Sequence, residues 1–196
     1  MGYRILRKVD LSSASVLEVG PGDILHMDQW QGVPKRFVIA DVQQAMLDRS
    51  AARLVERKVC FETKLMARTD ITSLPFNTAE FDYILSFYSL EHLYPLESTL
   101  AEFARVLRPG GKLVGSIPAE GGLAWGMGRF LTTRRWLKKH TTIDPDKIIC
   151  WEHPNFADHI LRLLDRFFVR QRVTYRPFCI PSIDLNLVIS FIFERK

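Results

Sequence analysis

One stretch of nine residues restricts the fold more than any other part of the chain. Residues 15–23 read Ser-Val-Leu-Glu-Val-Gly-Pro-Gly-Asp. The short apolar run predicts a buried strand, and the strand stops at two glycines separated by a proline. Because glycine has no side chain, a strand that ends in this way leaves its backbone open to close approach by a ligand. The stretch therefore predicts a strand and a ligand-binding loop, although Gly-Pro-Gly alone is equally typical of an ordinary turn.

Strands and helices alternate after this loop. Apolar runs predict four further buried strands, and helical spacing of apolar residues predicts two helices between them. The predicted strands are 36–40, 64–68, 81–87 and 112–117, and the predicted helices are 43–58 and 95–107. The second helix is expected to end at Pro109-Gly110-Gly111. Alternation of this kind implies right-handed crossovers and a parallel sheet with helices on both faces.

The pattern changes in the last quarter of the chain. Residues 155–167 predict a helix with Asn155 as its N-cap, and two β-rich runs follow at 168–175 and 184–193. Two strands joined without a helix are most simply antiparallel neighbours at the sheet edge. We therefore expect an α/β, Rossmann-like, doubly wound sheet of seven mostly parallel strands with an antiparallel C-terminal edge hairpin. The expected single domain, 1–196, comprises a cofactor-binding core (16–118), a lid-like basic insert (119–150) and a C-terminal helix and strand pair (151–196).

Acidic residues fall at the ends of three predicted strands, at Glu18, Asp41 and Asp70. In an open parallel sheet, ligands bind beyond the carboxyl ends of the strands. Asp41 follows Glu18 by 23 residues, a spacing typical of an acid that binds the ribose hydroxyls of a nucleoside. One such acid more often caps a turn, but three at consecutive strand ends favour a nucleotide-type cofactor site.

Six ordered segments resemble the class I S-adenosylmethionine-dependent methyltransferases, in particular the small-molecule group similar to the ubiquinone and menaquinone biosynthesis methyltransferases. They are Val-Leu-Glu-Val-Gly-Pro-Gly (16–22), Ile-Ala-Asp (39–41), Thr-Asp-Ile-Thr-Ser-Leu-Pro-Phe (69–76), Phe-Asp-Tyr-Ile-Leu-Ser (81–86), Leu-Glu-His-Leu (90–93) and Arg-Val-Leu-Arg-Pro-Gly-Gly (105–111). The resemblance implies methyl transfer, with S-adenosyl-L-methionine as cofactor and S-adenosyl-L-homocysteine as product. One departure is Ile24, which stands where the family usually has a small residue.

The resemblance also implies roles for individual residues. The glycine loop would lie under the amino-acid part of the cofactor, and Asp41 would bind the ribose hydroxyls. Asp70 and Ile71 would contact the adenine, while Ser86 and Phe87 would line the methionine end. The full cofactor set expected is Glu18, Gly20, Pro21, Gly22, Asp41, Val42, Met46, Asp70, Ile71, Ser86 and Phe87.

Methyl transfer from a sulfonium is an in-line displacement, so positioning supplies much of the acceleration, and a base is needed only where the acceptor loses a proton. His92, which follows the fourth predicted strand, is the expected catalytic residue, and Glu91 and His153 are the alternatives. His92 could equally be a helix-start packing residue or part of the cofactor shell, and His153 is the weaker candidate. The expected acceptor-site residues are Tyr88, His92, Trp125, Arg129 and His153, and no metal ligand is expected.

The basic character of the chain lies in its C-terminal part. Residues 121–196 hold 13 Lys and Arg against 7 Asp and Glu, whereas residues 1–120 hold 14 against 15. The insert contributes a run of bases with no acid between them, namely Arg129, Arg134, Arg135, Lys138 and Lys139. We expect a helical lid whose basic face attracts an anionic acceptor or a membrane surface carrying a lipid-linked acceptor. The alternative is a packed helix with a solvated rim, and no nucleic-acid-binding module is recognisable.

Cysteine spacing and hydropathy restrict the cellular context. Cys60, Cys150 and Cys179 are odd in number and widely spaced, which favours reduced, structural thiols in the cytoplasm. No apolar run predicts a transmembrane segment or a signal peptide. Two other functions remain open. A nicotinamide-dependent oxidoreductase shares the strand, glycine and acid pattern, although Leu25 stands where its third glycine would be. A non-catalytic S-adenosylmethionine-binding module would also keep the pattern.

Overall fold

Seven strands form one sheet in the order β3-β2-β1-β4-β5-β7-β6 in a computed structural model that describes residues 1–67, 70–142, 144 and 153–196. Strands β1 to β5 are parallel, and β7 is antiparallel to both β5 and β6. The strands are β1 (Ser15–Val19), β2 (Arg36–Asp41), β3 (Glu62–Leu65), β4 (Phe81–Phe87), β5 (Leu107–Pro118), β6 (Phe168–Arg176) and β7 (Val188–Arg195). The expected fold class is therefore confirmed, including the antiparallel C-terminal edge.

Helices cover both faces of this sheet. The α-helices are α1 (Gln44–Glu56), α2 (Leu96–Val106), α3 (Leu123–Leu131), α4 (Thr133–His140) and α5 (Ala157–Phe167). Short 3₁₀ helices cover Gly2–Lys8, Met27–Gln29, Asp70–Thr72 and Leu90–His92. Within the described ranges, no helix has the length and apolar character that a membrane span requires.

The core consists of two layers, one on each face of the sheet. Successive residues of a strand point to opposite faces, so Val16 packs in one layer while Leu17 packs in the other. The Leu17 layer includes Phe103 of α2 and Leu164 of α5. The Val16 layer includes Leu47 of α1, together with the first 3₁₀ helix. Burial on both faces explains why the central strands are mostly apolar and do not alternate between apolar and polar residues.

Several predicted boundaries were wrong in the parallel part of the sheet. The third strand covers 62–65 rather than 64–68, and all four of its side chains are exposed because it is an edge strand. The fifth begins at Leu107 rather than 112, because Leu107 pairs with Phe81 and an irregularity then shifts the register before Lys112. The Pro109-Gly110-Gly111 stretch thus lies within β5 and not in a turn after the helix.

Corrections also fall in the C-terminal half. The insert contains two helices rather than one, with the break at Thr132. Asn155 is not an N-cap, because α5 begins at 157 and the Asn155 amide donates instead to the carbonyl oxygens of Leu90 and Leu93. The last strand begins at 188 rather than 184. Cys60 and Cys179 are exposed free thiols and do not pack in the core, and Cys150 lies outside the described residues.

Candidate active site

The loop after β1 needs glycine at Gly20. The Gly20 N–H donates to the Ala40 carbonyl oxygen at 2.9 Å, with φ at 68°. A Cβ atom at this position would lie 2.8 Å from the Cβ of Ser89, closer than packed carbon atoms approach. Gly22 also has a positive φ of 56°, but a Cβ there would meet no atom within 4 Å. The backbone at Gly22 therefore faces open space that a ligand can enter.

Three contacts hold this loop in place. The Ser50 hydroxyl of α1 donates to the Gly22 carbonyl oxygen at 2.6 Å. Arg49 forms an ion pair with Asp23 at 2.7 Å. Ile24 is buried in the Val16 layer of the core, so its side chain points away from the open side of the loop. Ile24, which replaces the small residue usual in methyltransferases, thus anchors the loop and leaves the space above Gly22 free.

Glu18 lies behind the loop, fully buried in β1. The Trp30 Nε1–H donates to His26 Nδ1 at 2.9 Å, so the other ring nitrogen, Nε2, carries the proton and donates to Glu18 Oε1 at 2.7 Å. The second oxygen, Glu18 Oε2, is buried without a hydrogen-bond partner. Sequence patterns missed His26 and Trp30, because a 3₁₀ segment has no periodic signal that would place them beside β1.

Asp41 ends β2 at the same sheet edge as the glycine loop, because β1 and β2 are parallel. Its carboxylate accepts the Gln43 backbone N–H at 2.8 Å, which turns the chain towards α1. Burial raises the pKa of Asp41, and the backbone N–H groups of Gln43 and Val42 oppose this rise. Val42 is exposed, and Met46 in the first turn of α1 is half-buried.

The remaining predicted cofactor residues occupy the neighbouring part of the edge. Ile71 is buried in the Leu17 layer, and the side chain of Asp70 lies outside the part of the chain that the structure describes. Ser86 is fully buried and donates to Ser89 Oγ at 2.6 Å, because Ser89 uses its own proton on the Val19 carbonyl oxygen at 3.1 Å. Ser86 is therefore linked through Ser89 to the end of β1.

Aromatic rings close the side of the site next to Ser86. The Phe87 ring packs 5.0 Å from the His26 ring and 5.2 Å from the Tyr3 ring, measured between centroids. Tyr88 follows with its ring 5.8 Å from Tyr3, and burial raises its pKa to about 12. Tyr88 thus packs against Tyr3 of the first 3₁₀ helix.

A second cluster of polar side chains lies beyond the carboxyl ends of β4 and β5. Glu120, which comes two residues after β5, is buried. Its Oε1 accepts a hydrogen bond from Arg129 of α3 at 2.6 Å, and its Oε2 accepts one from His153 Nδ1. The His153 ring meets the His92 ring edge to face, with centroids 4.5 Å apart. The structure therefore brings together three residues that the sequence marked as acceptor candidates.

Charges in this cluster are strongly coupled. Burial raises the pKa of Glu91 to about 7, and its Oε2 has no hydrogen-bond partner. Burial also acts against ionisation of Glu120, but the hydrogen bond from His153 and the charge of Arg129 outweigh it and lower its pKa. The bond to Glu120 in turn raises the pKa of His153. The cluster thus pairs a carboxylate that is held ionised with an imidazole whose protonated form the carboxylate stabilises.

Sequence reasoning missed Glu120, which organises this cluster. Arg129, expected to offer a positive charge to the acceptor, is instead paired with Glu120. Trp125 is half-buried and lies one turn before Arg129 on α3. The signal that could have found Glu120 is its position at the end of a strand, the same rule that picked out Asp41.

The strand order defines a Rossmann-like domain, and the glycine loop and the acid that ends β2 lie at its switch point, where ligands bind in folds of this class. Residues 17–115 match a family model described as "Methyltransferase domain". The chain therefore belongs to this methyltransferase family, and the resemblance drawn from its motifs is confirmed.

Curated relatives match the same region. The chain is 31% identical over 96 residues to "Ubiquinone/menaquinone biosynthesis C-methyltransferase UbiE" of Azotobacter vinelandii, a match covering 48% of this chain and 38% of that protein. It is 34% identical over 115 residues to "Phthiotriol/phenolphthiotriol dimycocerosates methyltransferase 1" of Mycobacterium ulcerans, covering 58% and 41%. The matches thus span less than half the length of these relatives.

Solved structures share the fold over nearly the whole chain. An S-adenosylmethionine-dependent methyltransferase from Mesorhizobium loti superposes with a TM-score of 0.60 at 17% identity, covering 95% of this chain and 93% of that one. The N-methyltransferase NodS from Bradyrhizobium japonicum, in complex with S-adenosyl-L-homocysteine, gives 0.62 at 21% identity, covering 98% and 82%. At these identities the likeness shows the fold.

Proposed function

We propose that the chain binds S-adenosylmethionine and transfers its methyl group to a small-molecule or lipid-linked acceptor. The observation that carries this proposal is the open backbone at Gly22 next to the half-buried Asp41 carboxylate, at the switch point of the sheet. Membership of the methyltransferase family supports it. So do the activities for which the relatives are named and the S-adenosyl-L-homocysteine that the NodS structure contains.

The residues at the edge fit the parts of this cofactor. Asp41 would accept hydrogen bonds from both ribose hydroxyls, flanked by Val42 and Met46 on the α1 side. The loop at Gly20, Pro21 and Gly22 would lie under the amino-acid part. Glu18 Oε2 lies beneath the loop without a hydrogen-bond partner, and it would accept a hydrogen bond from the positively charged amino group of the cofactor. We assign Asp70 and Ile71 to the adenine, and Ser86 and Phe87 to the wall of the methionine end.

S-adenosylmethionine supplies a methyl group that its sulfonium already activates, so the protein has to align the acceptor. His92 and His153 lie beyond β4, on the side where the acceptor would approach. Glu120 holds His153 by Nδ1, which leaves Nε2 as the atom that takes a proton from an acceptor hydroxyl, amine or acidic carbon. We propose that His92, whose ring contacts the ring of His153, is a catalytic residue that orients the His153 ring or shares its proton. Tyr88, Trp125 and Arg129 would form the acceptor walls.

Ligand-induced stabilisation and turnover test this proposal in sequence. We expect S-adenosyl-L-homocysteine to raise the melting temperature and NAD to leave it unchanged. Stabilisation by NAD alone would instead support the oxidoreductase. We then expect S-adenosyl-L-homocysteine to accumulate when the protein is incubated with S-adenosylmethionine and a panel of quinols, phenols, amines and lipid-linked hydroxyls. Stabilisation without turnover on any member would favour the non-catalytic binding module.

A further inference from the structure

Helix α3 presents its apolar side chains to solvent. Exposed fractions are 73% for Leu123, 65% for Met127, 55% for Phe130 and 56% for Leu131, and no residue of this helix is buried. The same side chains line an open groove of about 490 Å³ along the helix. Single exposed apolar residues are ordinary, but a contiguous row on one element marks a surface that binds a partner.

Helix α4 adds positive charge directly beside this row. Arg135, Lys138 and Lys139 are exposed, and the sequence has no acidic residue from 121 to 140. Trp136, on the same helix, is 57% exposed. Apolar residues, a tryptophan and clustered lysine and arginine are together typical of helices that lie in the headgroup region of an anionic membrane.

The rest of the chain fixes the orientation of this surface. At its start, α3 is held by Asp184, whose carbonyl oxygen accepts the Ala124 N–H at 2.8 Å. The next residue, Leu185, is also an exposed apolar side chain. On the opposite side of α3, Arg129 forms an ion pair with the buried Glu120. One helix thus joins the exposed apolar row to the polar cluster beyond β5.

We propose that α3 and α4 form a docking surface for an anionic lipid bilayer, called here the α3–α4 surface (residues 123–140). The apolar row of α3 enters the interface, and the bases of α4 contact the lipid headgroups. Charge selects this occupant, because two copies of the chain meeting through α4 would bring like charges together, whereas an anionic bilayer neutralises them. Docking places the Arg129–Glu120 pair, on the opposite side of α3, one helix diameter (~10 Å) from the membrane surface, which suits the lipid-linked acceptor of the proposed function. Docking itself does not depend on methyl transfer.

Vesicle sedimentation tests the charge part of the proposal. We expect the full chain to bind vesicles of phosphatidylglycerol and phosphatidylcholine, with affinity falling as salt rises, and to bind phosphatidylcholine alone weakly. Each base near an anionic surface strengthens binding about fivefold. The R135E/K138E/K139E variant should therefore bind at least roughly 100-fold more weakly. The control R4E/R7E/K8E, which changes the net charge equally at exposed residues of the first 3₁₀ helix, should stay near wild type.

Apolar contact and self-association are tested by a second pair of variants. M127D/F130D should lose vesicle binding, while V55D, which alters an equally exposed residue of α1, should keep it. Unchanged S-adenosyl-L-homocysteine binding would show that each variant is folded and separates this test from the cofactor proposal. Equal vesicle binding by R135E/K138E/K139E and its control would overturn the proposal. So would a dimer in analytical ultracentrifugation that M127D/F130D converts to a monomer.

Discussion

Replacing Asp41 separates a local structural role from the proposed binding role. One carboxylate oxygen accepts the Gln43 N–H at 2.8 Å and fixes the turn into α1. In the proposed complex, the carboxylate also accepts both ribose hydroxyls. Asp41→Ala removes both sets of contacts. Asp41→Asn keeps an oxygen for the turn and loses the negative charge, so it serves as the matched control.

The expected magnitudes differ for the two roles. The turn hydrogen bond contributes about 1 kcal/mol to the free energy of unfolding, which corresponds to a melting temperature lower by roughly 2–4 °C in a domain of this size. Hydrogen bonds to an ionised group contribute about 1.5–3 kcal/mol each. Because the two ribose contacts share one carboxylate, we expect Asp41→Ala to lose about 2–4 kcal/mol of binding, a rise in Kd of roughly 30-fold to 1000-fold.

Calorimetric titration with S-adenosyl-L-homocysteine measures the binding, and thermal unfolding without ligand measures the stability. Asp41→Asn should melt like the wild type and bind with an intermediate Kd. A folded Asp41→Ala protein with the affinity of the wild type would remove this residue from the site. A decrease in the melting temperature of Asp41→Ala far larger than the predicted one would show that the role of Asp41 is mainly structural.

Three further predictions follow from the same geometry. Gly20→Ala should lower the free energy of unfolding in urea by about 2–4 kcal/mol, because backbone strain and a clash combine, whereas Gly22→Ala should cost only about 1 kcal/mol from strain. The buried carboxyl of Glu91 keeps its proton up to a pKa of about 7 instead of 4.5, so stability falls as pH rises through this range, by up to about 3 kcal/mol. Glu91→Gln should lack this fall. Glu120→Gln should reduce kcat by up to about 100-fold and move the rise of activity with pH to lower pH, because it lowers the pKa of His153, while cofactor affinity stays constant.

Each of these predictions has a clear contrary result. Equal losses of stability at Gly20 and Gly22 would show that the contact with Ser89 relaxes freely. Parallel pH dependences for wild type and Glu91→Gln would mean that this carboxyl ionises normally in the fold. A pH–rate profile unchanged by Glu120→Gln would remove the carboxylate of Glu120 from the proton path.

The strands of the sheet were predictable where they are buried, because buried strands are rich in apolar residues. Strands β1, β2 and β4 are covered on both faces, so most of their residues are apolar, and β4 was predicted to the residue. Strand β3 is exposed along its whole length and gives no such run, so its position was displaced. The break between α3 and α4 at Thr132 carries no proline or glycine, and only the backbone reveals it.

The site was predictable where local chain order determines it. The glycine loop and Asp41 follow adjacent parallel strands, so topology alone places them at one edge. The partners of Glu120 depend on packing, because His153 is 33 residues away and Arg129 reaches it from a separate helix. The contact between Glu18 and His26 likewise requires a 3₁₀ turn that sequence periodicity does not encode.

A crystal structure of the chain with S-adenosyl-L-homocysteine tests the central claim most directly. We predict that both ribose hydroxyls lie within hydrogen-bond distance of Asp41 and that the amino-acid part lies over Gly20 and Gly22. The sulfur should face the side of the site that holds His92 and His153. A ligand bound away from this edge would contradict the account. So would a folded protein that takes up no S-adenosyl-L-homocysteine even when the ligand is in large excess over the protein.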